Sequence, residues 1–257
     1  VDNSGDITVD AAAEALSIGA AVAIQKKVKE AVNLEGTLAD VRAIAIADAS
    51  GILGGTGDDT ITSSGSVAVT AESSNAGVAL SAAVTCEAEK GLVVNAAVAK
   101  ADTTAMAEAV GIDGGEGNDA IHNTGTVDVS ADAGTLSAAV ALTVQGSNTK
   151  VIGLQGALAT VTTTAEATAE GLSGGSGSDL IVNEGAITVE ADSLAIAASV
   201  AVDIMPGKTK GIGIALANAR NEATATATGI SGGEGCDLIS NSGAVTVDAD
   251  ATAVAAS

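Results

Sequence analysis

The chain reads as an all-β protein, a parallel β-solenoid or β-roll built from repeats of about 60 residues whose glycine–aspartate loops stack along one edge. Three observations predict this. An eight-residue pattern, GGxGxDxI, returns at nearly constant spacing. Between its copies the apolar residues alternate with period two, as in strands with one buried face. Finally, the 257 residues contain no Phe, Tyr or Trp and a single Pro, so Ala, Val, Ile and Leu must build a thin core.

The pattern stands at Gly54–Ile61, Gly114–Ile121, Gly174–Ile181 and Gly232–Ile239, with spacings of 60 (54 to 114), 60 (114 to 174) and 58 (174 to 232). A copy without its loop opens the chain, where Ile7 and Val9 precede Val67 and Val69 by one repeat. One elongated array follows, divided into 1–53 (partial), 54–113, 114–173, 174–231 and 232–257 (partial). Because the chain starts and stops in mid-repeat, it is expected to be a processed piece or a window of a longer array.

In each loop, glycines at places one, two and four open conformations closed to residues with a Cβ, and they let carbonyls converge on a small centre. The Asp at place six aims a charge at that centre. Backbone carbonyl plus carboxylate is the ligand chemistry of a hard cation such as calcium. A metal-free glycine corner is the alternative. A phosphate loop fits poorly, since no Gly-Lys-Ser/Thr follows and the chain runs on into a strand.

These octapeptides resemble the calcium-binding nonapeptide of the repeats-in-toxin (RTX, haemolysin-type) family. The resemblance covers the loops; that family repeats its motif every nine residues, and this chain has one good copy per repeat. It implies a right-handed roll with Ca2+ between stacked loops. Its ligands would come from Gly54, Thr56, Gly57 and Asp59; Gly114, Glu116, Gly117 and Asp119; Gly174, Ser176, Gly177 and Asp179; and Gly232, Glu234, Gly235 and Asp237. Sharing an ion between neighbouring loops requires one coil per repeat, because rungs lie only ~4.8 Å apart.

After the loop, Asn-x-Gly (Asn123–Gly125, Asn183–Gly185, Asn241–Gly243) predicts a tight corner, since both residue types tolerate positive φ. Val67, Val69 and Ala71 and their equivalents then alternate as a strand. The next segment, Ala11–Val32 in the first copy, is rich in helix formers. Alternation of Leu16, Ile18, Ala20, Val22 and Ile24, repeated in Ala76–Val84 and Ile196–Ile204, predicts a strand instead. Apolar parity changes between these two strands, which predicts a bend or bulge near Glu72–Asn75 and Asp192–Leu194. A turn follows, then a strand with Leu92 and Val94, and a last strand whose alternating Ala residues (Ala165, Ala167, Ala169) face inward.

The net charge of −22 argues against nucleic-acid partners, and no unbroken apolar run is long enough for a membrane span. Seven of the ten basic residues (Lys26, Lys27, Lys29, Lys90, Lys150, Lys208, Lys210) fall in the mid-repeat turn. They form either a basic ridge opposite the acidic loop edge or simply a solvated turn. Cys86 and Cys236 occupy unrelated places in the repeat and are expected to be free thiols. The lone His122 has no equivalents, so repeated Ser/His/Asp chemistry cannot be built and catalysis is not expected.

The expected role is a non-catalytic, calcium-stabilised, extracellular or cell-surface fibre or adhesin stalk. Its partner would be itself, head-to-tail or within a longer repeat chain, with cell-surface or matrix contacts. The alternative is a ligand-binding solenoid such as an ice-binding or surface-binding adhesin module. Its flat Thr ladder fails to persist, because Thr224, Thr226 and Thr228 align with Glu166, Met106 and Ile46 among others.

Overall fold

The structure is a computed structural model that describes residues 1–26, 32–86, 91–146, 151–205 and 210–257. The chain opens with β1 (Asp2–Asn3), β2 (Ile7–Gln25) and β3 (Val32–Leu53). The next repeat supplies β4 (Thr60–Ser63), β5 (Ser66–Thr85) and β6 (Gly91–Asp113), and the third β7 (Ala120–Asn123), β8 (Thr126–Gln145) and β9 (Val151–Ser173). The fourth contains β10 (Ser176–Gly177), β11 (Leu180–Asn183), β12 (Ile187–Ile204) and β13 (Lys210–Ser231). The last contains β14 (Glu234–Gly235), β15 (Leu238–Asn241) and β16 (Val245–Ala256). No helix occurs among the described residues.

Every pairing is parallel and joins a strand to its own equivalent in the next repeat. Val67 pairs with Val127, Val127 with Ile187, and Ile187 with Val245. One repeat is therefore one coil, as ion sharing between loops requires. A complete coil has two long strands and one or two short ones, which gives two broad facing sheets, β16-β12-β8-β5-β2 and β13-β9-β6-β3, a narrow sheet β1-β4-β7-β11-β15 along the loop edge, and the two-stranded pair β10-β14 within the loops. The fold is thus a parallel β-solenoid.

The interior next to the loops is built as expected. Val67, Val69 and Ala71 face Ala105, Ala107 and Ala109 of the opposite sheet, and all are buried. Alanine keeps the layer thin: Ser73 Oγ reaches straight across to the Ala45 carbonyl at 2.9 Å, from one broad sheet to the other.

The expected bulge is absent. β5 runs unbroken from Ser66 to Thr85, and the register with β8 holds through Glu72–Asn75; β12 likewise continues through Asp192–Leu194. The strands expected as separate pieces on either side of it are single strands, paired rung to rung over their whole length. What changes at the parity switch is the chemistry of the faces. Inward positions pass to small or polar residues such as Asn75, Ser81, Ala83 and Thr85, while Leu16, Ile18, Val22 and Ile24 point outward. Space forces the exchange: opposite Gly19, the Val41 side chain already occupies the interior, and a Cβ there would lie 2.5 Å from Val41 Cγ2.

Several buried polar side chains in this half are bonded within the gap, though Thr135 Oγ1 and Ser199 Oγ find no partner there. Asn75 Nδ2 donates to the carbonyls of Ala43 (2.7 Å) and Thr104 (2.9 Å), and Thr103 Oγ1 bonds Ser137 Oγ at 2.6 Å. Of the mid-repeat lysines, Lys26 and Lys210 stand exposed at the edge far from the loops; Lys27, Lys29, Lys90, Lys150 and Lys208 lie outside the described residues.

Candidate functional site

The four GGxGxD loops stack at one edge. The glycines at places two and four adopt positive φ, 96° at Gly115 and 138° at Gly117, a region that favours glycine. Place one does not. Gly114 is required by proximity, since a Cβ there would lie 2.5 Å from the Gly174 carbonyl oxygen and 2.7 Å from Asp119 Oδ2. Backbone bonds tie the loops together at places two to four: Glu116 N donates to Gly55 O (2.7 Å) and Gly117 N to Ser176 O (2.8 Å). The same pattern leaves Gly57 N on Glu116 O at 2.6 Å and Ser176 N on Gly115 O at 2.8 Å.

The place-six aspartates form a chain of charge-assisted hydrogen bonds. Asp59 N donates to Asp119 Oδ1 at 2.7 Å, Asp119 N to Asp179 Oδ1 at 2.7 Å, and Asp179 N to Asp237 Oδ1 at 3.0 Å. Place five points the other way: Asn118 N donates back to Asp58 Oδ1 (2.8 Å), and Ser178 N to Asn118 Oδ1 (3.0 Å). Each inner loop is thereby clasped in both directions. Asp58 and Asn118 carry no recurring signal in the sequence, because place five varies from Asp to Asn, Ser and Cys; what the two share is a γ-carbonyl oxygen on a short side chain.

Asp119 and Asp179 are each 2% exposed, and Oδ2 of both is buried with no hydrogen-bond partner. A buried, unpaired carboxylate oxygen is expensive, and repetition at rung spacing adds like-charge repulsion. The donor set suits a hard cation: one free carboxylate oxygen on each inner rung, with the glycine-loop carbonyl of the next rung close to it. Thr56, Glu116, Ser176 and Glu234 join the stack through backbone bridges from rung to rung. Among the described residues no group of three or more His, Cys, Asp or Glu side chains converges, so such a site relies on main-chain oxygens as much as on carboxylates.

Beside the loops runs a second ladder, unpredicted in this form. Asn123 Nδ2 donates to Asn183 Oδ1 (2.8 Å) and Asn183 Nδ2 to Asn241 Oδ1 (2.7 Å), while each also bonds the corner glycine two residues on. The corner glycines Gly125 and Gly185 are not in the positive-φ region expected for them; they are needed because a Cβ would strike the glycine carbonyl of the preceding rung.

His122 sits exposed on β7, and Cys86 and Cys236 are free and exposed. Thr224 is in register with Glu166, Met106 and Ile46, so the outer face of the second broad sheet mixes charge, thioether and hydrocarbon in one row. No helix among the described residues is long and apolar enough to cross a membrane. No protein-family model matches the chain, and comparison with curated proteins and with solved structures returns no match.

Proposed function

We propose that this chain is a non-catalytic structural module, a segment of an extracellular or cell-surface fibre or adhesin stalk whose loops bind calcium in the manner of the RTX repeats they resemble. One observation carries the reading: the orphaned, buried Oδ2 atoms of Asp119 and Asp179, repeated at the spacing of the coils. Calcium supplies the positive charge that this row lacks. Asp59, Asp119, Asp179 and Asp237 with the glycine-loop carbonyls are its proposed ligands.

The function is mechanical, with ends that stack on further repeats or further copies. A β-solenoid offers its terminal rungs as pairing templates, and head-to-tail contacts of that kind propagate into filaments. Extracellular calcium modules bind at about 10⁻⁴–10⁻³ M, which matches a site that fills outside cells.

Thermal melting followed by circular dichroism, in millimolar calcium and in chelator, tests the metal. A rise in melting temperature with calcium that magnesium does not reproduce supports the proposal. Superimposable melts in calcium and chelator would reduce the loops to plain corners and remove the basis for an extracellular address.

A further inference from the structure

The interior changes character along the strands. Beside the loops the gap is filled with hydrocarbon, Val67, Val69 and Ile112 together with Ala105, Ala107 and Ala109. From Ser73 back to that edge, every buried side-chain nitrogen or oxygen among the described residues has a partner, the loop aspartates apart. In the far half five do not: Asn75 Oδ1, Thr135 Oγ1, Ser199 Oγ, Asn95 Nδ2 and Gln145 Nε2. The residues that carry them are at most 4% exposed.

Four of the five fall into two groups. Asn75 and Thr135 are rung neighbours in the first broad sheet, and the flanking rungs carry alanine at the same place, Ala15 and Ala195. Asn75 Nδ2 is taken up by the carbonyls of Ala43 and Thr104, so only its oxygen is left over. Asn95 and Gln145 stand nearer the far edge, on opposite sheets. There Thr85 pairs in register with Gln145, and Asn95 with Gln155. Thr85 Oγ1 donates to Asn95 Oδ1 at 3.1 Å and Gln155 Nε2 to Gln145 Oε1 at 3.1 Å, which closes each rung across the gap and leaves the other two amide nitrogens of the square with nothing to donate to. Glycine keeps the place open: a Cβ on Gly153 would lie 2.5 Å from Gln145 Oε1.

Buried amides and hydroxyls without a partner are costly, and folded proteins leave few of them. The chemistry of these groups selects their ligand. A cation cannot accept from the amide N–H groups of Asn95 and Gln145. An anion cannot donate to Asn75 Oδ1, and it would share the gap with the carboxylates of Glu35 and Asp203, which bond Thr85 and Thr143. Water does both, and it is neutral. Rung neighbours lie ~4.8 Å apart, a distance that two hydrogen bonds through one water span.

We propose that water occupies the far half of the gap, one molecule joining Asn75 Oδ1 to Thr135 Oγ1 and another accepting from Asn95 Nδ2 and Gln145 Nε2. Each has the two polar partners that hold a buried water. The two halves of the slab are then opposites. The loop half is dry inside, whereas the far half is wet inside and carries its hydrocarbon outside, with Leu16, Leu38 and Leu80 exposed. This hydration does not rest on the calcium reading.

Oxygen-17 relaxation dispersion of the solvent detects water held inside a protein for longer than the protein takes to tumble. The whole chain in calcium is expected to show such water. Thr135→Val keeps the shape of the side chain and deletes a hydroxyl that makes no protein bond. It should lose one water's share of the dispersion and melt at a lower temperature. Thr135→Ala, the residue that the flanking rungs already carry, should show the same loss of dispersion even where valine is too large. Water on a bound ion contributes equally to all three proteins and drops out of the difference. No long-lived water in the wild type, or undiminished dispersion in both variants, would overturn the proposal. So would a Thr135→Val protein that melts above the wild type, the sign of a hydroxyl with no partner at all.

Discussion

Oδ2 of Asp119 lies against Gly114 of its own loop, close enough that a Cβ on that glycine would come within 2.7 Å of it. The loop leaves that oxygen room, yet provides no donor for it. The other oxygen already holds the amide of Asp59 at 2.7 Å, so one carboxylate divides its work between a rung-to-rung bond and a vacant lone pair.

Replacing both inner carboxylates, Asp119→Asn with Asp179→Asn, separates those roles. Asparagine keeps Oδ1 as the acceptor and removes the charge. In chelator the double variant is expected to melt at or above the wild-type temperature, because buried like charges are gone. In calcium it should lose most of the wild-type stabilisation. Scanning calorimetry with and without calcium reads both effects, and a retained calcium shift would exclude these two residues as ligands.

Asn183 is a link in a continuous ladder, donating to Asn241 and to the Gly185 carbonyl and accepting from Asn123. Truncation by Asn183→Ala takes the acceptor from the buried Asn123 amide and the donor from the buried Gly185 carbonyl, a loss of about 1–3 kcal/mol. Urea denaturation should show a lowered midpoint for it. The same change at Asn241, exposed on the last rung, should have a smaller effect.

Two glycines in equivalent-looking strand positions should respond in opposite directions. At Gly77 an added methyl would sit 2.6 Å from the buried Thr103 Cγ2 and disturb its bond to Ser137. Gly77→Ala is expected to destabilise by about 1–3 kcal/mol. Gly134 faces open space, with nothing within 4 Å, and Gly134→Ala should stabilise by about 0.4–1 kcal/mol. Melting temperatures of the pair decide whether the interior is as narrow as described.

Glu170 carries a pH dependence. Desolvation, and then Asp113, raise its carboxyl above the ordinary 4.5, against the lowering effect of hydrogen bonds to Ser173 and Ser231. The folded state thus binds this proton more tightly than the unfolded chain. Its destabilising contribution is full above the folded value and fades as pH falls through that value toward 4.5. Glu170→Gln should therefore raise the melting temperature at neutral pH, with the advantage over wild type shrinking on acidification. A difference independent of pH would mean that charge at this site is immaterial.

The loops and the inward alanines of the second broad sheet are legible because each is written as a fixed spacing, GGxGxD at intervals of 60, 60 and 58 residues and Ala165-x-Ala167-x-Ala169 within a strand. The spacing alone does not say whether a repeat is one coil or several, and only ion sharing between loops points to one. The orientation of Leu16, Ile18, Val22 and Ile24 is not legible. Period two identifies a strand but does not say which side is inside, and residue size points to the wrong side here. In a stacked coil the gap is common to every rung, and alanine elsewhere fixes it too narrow for leucine. The overlooked signal was the other parity, where Ser73, Asn75, Gly77, Ser81 and Thr85 recur against Thr135, Ser137 and Thr143 as residues small enough to fit and able to bond across. In the sequence the asparagine ladder looks like local corner chemistry, because its partners are a full repeat away.

With one coil per repeat, some sixty residues advance the body by only ~4.8 Å, so a span of 100 Å takes about twenty repeats. As a device for reach this is poor. The return is in cross-section: a pull along the stacking direction is shared at once by the backbone bonds of two strands of twenty or so residues and by the Asp and Asn side-chain bonds at the loop edge. Such a ribbon resists parting between any two rungs, while its thinness leaves it free to flex across its flat side. It has the mechanics of a strap, suited to bearing tension over a short distance.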